Sequence, residues 1–189
     1  MPAKHLSKIL VIIGPSGSGK STIAKALIES NAISLTPSWT TRPMRPSEKK
    51  SQNPEHVFVS LAEFNANLMA NMFLEAVQLF GLPYWYGLPR IERPKNGAVP
   101  SVMLRAPLIE LINKHYPNHV VYEIHSPIDD LHQRLLSRQE QGDNLGTRMA
   151  DIKDEIDLGT KLAHRVFIND RPVPEMIKEI SKLIEEDMQ

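Results

Sequence analysis

Apolar positions follow two rhythms along the chain. Ile9-Leu10-Val11-Ile12-Ile13 is an unbroken apolar run, the pattern of a strand buried on both faces. Shorter runs with strand character are His56–Val59, Val99–Leu104, His119–Ile124 and Arg165–Ile168. Between them, apolar residues recur three and four apart. Ile23, Ala24, Leu27 and Ile28 predict a helix over Ser21–Glu29. Ser60-Leu61-Ala62-Glu63 reads as a capping box, opening a helix with Leu61, Phe64, Leu68, Met69 and Met72 on its stripe. Ser126-Pro127-Ile128-Asp129 opens another with Ile128, Leu131 and Leu135 inward. Thr147 is a candidate cap for a helix carrying Met149, Ile152 and Ile156, and Val173, Ile177, Ile180 and Ile184 define a last one. Strand and helix in alternation predict an α/β fold: a parallel sheet with helices on both faces. Residues 35–97, rich in proline and aromatic side chains, interrupt that alternation and read as an inserted subdomain, leaving a core of 1–34 and 98–189. Gln139–Gly146 reads as a mobile polar loop.

A length of 189 residues suits one domain. Net charge is zero and no long basic run occurs, so the electrostatic footprint of a nucleic-acid binder is missing. Cysteine is absent, which excludes disulfides and thiolate metal sites and is compatible with a cytoplasmic location. No apolar stretch approaches the ~20 residues needed to span a bilayer, and Met1–Lys8 is too short and polar for a signal peptide. The seven histidines show no metal-ligand spacing. Oligomeric state is not legible.

Candidate chemistry starts at Gly14–Thr22, GPSGSGKST, which fits G-x-x-x-x-G-K-[ST] between a predicted strand and a predicted helix. The segment Gly14, Ser16, Gly17, Ser18, Gly19, Lys20, Ser21 and Thr22 is therefore expected to wrap phosphates with its backbone N–H groups at a helix N-terminus. Lys20 would reach the β- and γ-phosphates, and Ser21 would ligate Mg²⁺. The motif implies a P-loop NTPase fold that binds a nucleoside triphosphate with Mg²⁺.

Downstream, Ser38–Arg45 reads SWTTRPMR, followed by Glu48, His56-Val57-Phe58-Val59, Phe73-Leu74-Glu75 and Tyr86-Gly87. In that order after the phosphate loop, these segments resemble the guanylate kinase family over nearly the whole chain. The resemblance implies that the insertion binds a nucleoside monophosphate, GMP or dGMP. It also implies that Ser38, Arg42, Arg45, His56 and Tyr86 surround the acceptor phosphate while Glu75 reads guanine. Independently, arginines three apart with hydroxyls nearby make a cradle for a phosphate, or a solvated loop pairing with Glu48. A carboxylate at 75 can accept from guanine N1–H and the 2-amino group, which adenine does not offer; an exposed glutamate at a helix end is the plainer reading. Arg134, Arg138 and Arg148 resemble the family's lid, about 134–148, whose arginines contact the transferring phosphoryl group. Asp130, four before Arg134, offers an ordinary helix pair instead. Asn169-Asp170 resembles a pair bordering the adenine of ATP, and is equally an ordinary turn. An acceptor phosphate is already ionised near neutrality, so no general base is needed. Catalysis would come from alignment and from cations, Lys20 and Arg42 among them.

The chain departs from the family's pattern at four places. His56 stands for a tyrosine and Leu88 for a hydroxyl residue. Val99–Arg105 lacks the Asp-x-Asp expected at the end of its strand, and Arg138–Arg148 is one residue short. These departures leave two alternatives: a kinase of another small acceptor, such as the ribose 1,5-bisphosphate phosphokinases, or a binding module that has lost catalysis.

Overall fold

A computed structural model of the chain describes residues 8–44, 48, 55–79, 82–137 and 145–189. Five strands form a wholly parallel sheet: β1 (Ile9–Ile13), β2 (Ile33–Thr36), β7 (Val99–Met103), β8 (His119–His125) and β9 (Arg165–Ile168). Their order is β2-β7-β1-β8-β9, so β1 lies at the centre between β7 and β8. That placement explains its sequence, because every β1 residue is buried and no position can be polar. On one face Leu10, Ile12, Tyr122 and Ile124 pack with Ile23 and Leu27 of α1 (Lys20–Glu29) and Met176, Ile180 and Ile184 of α6 (Val173–Asp187). On the other, Ile9, Val11, Ile13, Val102 and Val121 pack with Ile109 and Ile112 of α3 (Ile109–His115). Leu158 and Leu162 of α5 (Leu145–Leu162) complete that layer. Each fully buried aliphatic side chain in these two layers contributes about 1.5–3 kcal/mol relative to exposure. The architecture is the α/β one expected.

A second, four-stranded sheet has the order β4-β3-β6-β5, built from β3 (Ser38–Thr40), β4 (His56–Phe58), β5 (Phe73–Gln78) and β6 (Trp85–Pro89). β3 and β4 run parallel, whereas β6 is antiparallel to both β3 and β5. Helix α2 (Leu61–Met69) covers one face: Phe64 stacks on Phe73 with centroids 4.8 Å apart and lies 6.1 Å from Trp85. Ser60 caps α2, its Oγ accepting from the Glu63 N–H at 3.2 Å, as the capping box predicts.

Several elements differ from the sequence reading. Strands β2, β3, β5 and β6 were not expected, because their partial burial gives no clean two-residue alternation. Met72 lies beyond the end of α2. Asn71 adopts φ 54° there and closes the helix with Met72 N–H donating to Asn67 O, as Asn31 at φ 60° does after α1. Helix α3 follows a 3₁₀ turn at Ala106–Leu108 and is too short for a periodic signal. Helix α5 begins at Leu145, so Leu145 and Gly146 are helical rather than loop and Thr147 is not its cap. Leu145 stands four before Met149 and extends the apolar stripe by one turn. The rest of the expected loop, 139–144, lies outside the described residues. Among the described residues, no helix is long and apolar enough to cross a membrane.

Candidate active site

In an open parallel sheet, ligands bind beyond the carboxyl ends of the strands where the winding reverses. Here that point is the end of β1, and Gly14–Gly19 begins there. Gly14, Gly17 and Gly19 have φ of 139°, 86° and 88°, left-handed values that L side chains rarely adopt. Gly14 has a second constraint: a Cβ there would sit 2.0 Å from the Ile124 carbonyl oxygen of β8. Lys20 Nζ donates to the carbonyls of Gly14 at 2.6 Å and Pro15 at 2.7 Å, so the loop curls around the ammonium. The Ser18 carbonyl accepts from Ser126 Oγ at 3.2 Å and Asn169 Nδ2 at 2.9 Å. Asn169 thus ties the end of β9 to the crest of the loop. Ser18 Oγ itself is buried and has no hydrogen-bond partner among the described residues, a polar atom that a ligand in the cradle could satisfy. Ser16 is half-buried, and Ser21 and Thr22, in the first turn of α1, are exposed.

The second sheet gathers the expected acceptor residues. Strand register pairs Ser38 with His56, Thr40 with both Phe58 and Tyr86, Val77 with Tyr86, and Glu75 with Leu88. All of these therefore share one face, opposite the α2 face of Trp39, Trp85 and Gly87. A bulge between Phe73 and Glu75 makes this possible. Two residues apart, they would otherwise point the same way; the extra residue sends Phe73 to the α2 face and Glu75 to the other. Gly87 leaves room for the Phe73 ring, which a Cβ would meet at 2.8 Å. Nothing in the sequence announced the bulge.

On that face Ser38 Oγ lies 2.6 Å from His56 Nδ1, and the His56 and Tyr86 rings are 6.1 Å apart. Arg42 donates through Nη1 to Glu48 Oε2 at 2.9 Å and through Nη2 to Glu48 Oε1 at 2.5 Å, with its guanidinium 5.0 Å from the Phe58 ring centroid. Burial opposes the Arg42 charge, but the Glu48 bonds and the nearby Tyr86 outweigh it and hold its pKa above the ordinary value. The pairing with Glu48 is thus present. Glu75 Oε1 accepts from His115 Nε2 at 2.8 Å and Lys114 Nζ at 3.0 Å, both on α3 of the core. The His115 bond first, then Lys114, holds the Glu75 carboxyl below the ordinary range. Glu75 stands in a strand, not at a helix end. Leu88 is buried among Val102, Ile109 and Ile112, which accounts for an apolar residue there.

Arg134 lies in α4 (Ile128–Ser137) and Arg148 in the first turns of α5. Leu131, one turn before Arg134, sits 3.7 Å from a Cβ position on Gly17, so α4 packs directly on the phosphate loop. Arg45 and Arg138 lie outside the described residues.

The sequence reading overlooked two carboxylates. Glu155 of α5 is buried and receives the Arg105 guanidinium, Nε to Oε1 at 2.5 Å with Nη2 to Oε2 completing the fork, while Ala106 N–H reaches Oε1 at 3.4 Å. Arg105 follows β7, where the acidic pair was expected, and its charge is answered from the helix that carries Arg148. Glu123, level with Ile13 in the sheet, is wholly buried; Thr160 Oγ1 donates to its Oε2 at 2.8 Å, and Oε1 has no hydrogen-bond partner among the described residues. Burial raises its pKa despite the Thr160 bond. Glutamates at helix-period and strand-interior positions, reading as apolar slots, were the only available signal.

Sheet order, loop and facing acceptor sheet define an α/β phosphate-loop protein of the nucleotide-kinase class. Residues 6–187 match the family model for guanylate kinase, and the chain belongs to the guanylate kinase family. It is similar to the guanylate kinase of Symbiobacterium thermophilum, 32% identical over 90% of this chain and 81% of that one. Its similarity to the guanylate kinase of Clostridium acetobutylicum is 30% over 93% and 84%. Its fold resembles the crystal structure of guanylate kinase from Anaplasma phagocytophilum, with TM-score 0.70, 24% identity, and 99% and 89% of the two chains covered. The protein is a nucleoside monophosphate kinase, a phosphotransferase.

Proposed function

We propose that the protein transfers the γ-phosphoryl group of ATP to GMP or dGMP. The observation that carries this reading is the shared face of Ser38, His56, Tyr86 and Glu75, with the Arg42 guanidinium over Phe58 of the same face: phosphate-binding groups at one end and a carboxylate at the other. The loop amides and Lys20 bind the donor's β- and γ-phosphates, the ammonium giving up its loop carbonyls for phosphate oxygens. Arg42 exchanges Glu48 for the acceptor phosphate, a swap between two bidentate oxyanions at equal geometry. Ser38, Arg45, His56 and Tyr86 complete that cradle, and Glu75 accepts from the guanine edge. Arg134, Arg138 and Arg148 spread charge off the transferring group from the lid. The acceptor oxygen arrives ionised, so no residue removes a proton.

Among the described residues, no group of three or more His, Cys, Asp or Glu could hold a metal, whereas the Ser21 hydroxyl is exposed beside the loop. That donor set fits an ion that keeps most of its water, as Mg²⁺ does. Bound there, Mg²⁺ neutralises charge on the donor phosphates.

The missing acidic pair before Arg105 leaves a second reading, a kinase of another phosphate acceptor such as ribose 1,5-bisphosphate, with the Arg105 charge itself answered by Glu155. ADP release with MgATP and GMP, dGMP, AMP, UMP, CMP or ribose 1,5-bisphosphate tests both. Turnover with GMP at least tenfold above the other acceptors except dGMP is expected; turnover with the sugar alone refutes the proposal. No turnover with any acceptor, despite ATP binding, identifies a binding module.

A further inference from the structure

We infer that Lys114 and His115 are specificity-determining residues that occupy Glu75 in place of guanine until the base displaces them. This rests on the reading of Glu75 as the base-recognising group. Two N–H donors from the core helix α3 converge on one oxygen of a carboxylate in the inserted sheet, at 2.8 and 3.0 Å. Guanine presents two N–H donors too, N1–H and the 2-amino group, side by side. A carboxylate oxygen has two lone-pair sites, and both on Oε1 are taken. The base needs both carboxylate oxygens, so it must evict at least one protein donor.

The arrangement sets the margin of discrimination. Glu75 is held ionised and paired when no base is present, so a ligand gains from it only by replacing charge-assisted hydrogen bonds with its own. Guanine can do so. Adenine, with a lone pair at N1 and no 2-amino group, has nothing to offer the carboxylate and leaves the contact closed. The protein donors thus lower what guanine gains while adenine leaves them undisturbed, so they set the margin by which GMP is preferred over AMP. They also cross from one sheet to the other, joining β5 to α3, so base binding loosens a link between insertion and core.

Direct binding tests this without relying on turnover. Both tryptophans, Trp39 and Trp85, lie in the second sheet, and their fluorescence can follow GMP and AMP titrations. Replacing His115 by Phe should tighten GMP binding roughly three- to tenfold, as expected for removing a competing hydrogen bond to a charged group. Lys114→Met, at an exposed ammonium, should tighten it only about twofold. AMP affinity and the KM for ATP should not move. In a Glu75→Gln background the His115→Phe effect should shrink to nothing, a coupling that mere damage to α3 would not produce. GMP affinity unchanged or weakened in both single variants, with wild-type turnover of GMP intact, overturns this inference alone. Absence of GMP binding in wild type and variants alike overturns both it and the proposed acceptor.

Discussion

Replacing Glu155 by Gln isolates the contribution of the Arg105–Glu155 pair. The glutamate side chain is 3% exposed and the arginine 28%, so the variant leaves a mostly enclosed guanidinium facing a neutral amide, one of whose oxygens has become a donor. Removing one partner of a fully buried pair costs about 3–5 kcal/mol. The guanidinium keeps some access to water, which reduces the expectation to about 2–3 kcal/mol by the same reasoning. For a chain of this size, about 2–4 °C of Tm accompanies each kcal/mol, so a drop of roughly 5–10 °C is expected, with urea denaturation giving the free energy directly. The double variant Arg105→Leu/Glu155→Leu should recover most of the loss, because an apolar pair of similar bulk needs no desolvation. Near-wild-type stability of Glu155→Gln, within about 0.5 kcal/mol, would refute the view that this pair locks α5 to the end of β7. Equal loss in the single and double variants would show that packing volume, not charge pairing, is what matters there.

Three further perturbations address loop and core. Lys20→Ala should lower kcat by at least about 10²–10³-fold, the scale for losing one preorganised cation or donor at a transferring group; kcat within tenfold of wild type in a steady-state assay would remove Lys20 from catalysis. Gly14→Ala should give little soluble folded protein, because its Cβ would lie 2.0 Å from the Ile124 carbonyl at φ 139°; a wild-type melting curve would contradict that crowding. Glu123 has a folded-state pKa raised by burial, so protonation favours the folded form. Its stability contribution is fullest below the unfolded carboxyl value near 4.3 and is lost as pH rises from there through the raised folded value. Glu123→Gln should therefore gain stability relative to wild type as pH is raised across that window, measured by urea titration at several pH values; a parallel pair of curves would refute the assignment.

The donor side of this site was legible because its chemistry is written in backbone. A phosphate loop needs glycines where φ is positive, a lysine and a hydroxyl at fixed offsets, and an apolar strand before them; each requirement is local. The central sheet was legible for a similar reason, since burial on both faces leaves β1 no polar position. The second sheet was not. Strands β5 and β6 are half-buried, with one face on α2 and the other lining the candidate site, so neither alternation nor an apolar run marks them. The residues likened to the family's acceptor set could be named from the order of segments, but their common face depends on strand register and on the bulge before Glu75. The buried Glu155 and Glu123 were hidden differently: helical and strand periodicity predicts where a side chain points, not which partner will neutralise it there.

The contrast extends to how the two halves of the site tolerate change. In the proposed reading the donor phosphates meet main-chain N–H groups, which no side-chain substitution removes, and a Cβ at Gly14 would collide with the Ile124 carbonyl. The residues proposed for the acceptor side act through side chains, and several already have protein partners: Arg42 has Glu48, Ser38 has His56, Glu75 has Lys114 and His115. Each such partner satisfies a charge or hydrogen bond in the absence of ligand, so substrate gains only the difference between its own bonds and those it displaces. On that reading acceptor preference is set by a few exchange reactions, those at Arg42 and Glu75 tunable through Glu48, Lys114 and His115, which lie outside the proposed cradle. The departures at Leu88, Arg105 and His56 fall on this side chain-built half, whereas Gly14–Thr22 keeps the complete motif. On the proposed reading, a donor site fixed by backbone geometry beside an acceptor site adjusted by partner exchange would let one scaffold change acceptor while keeping its phosphoryl chemistry.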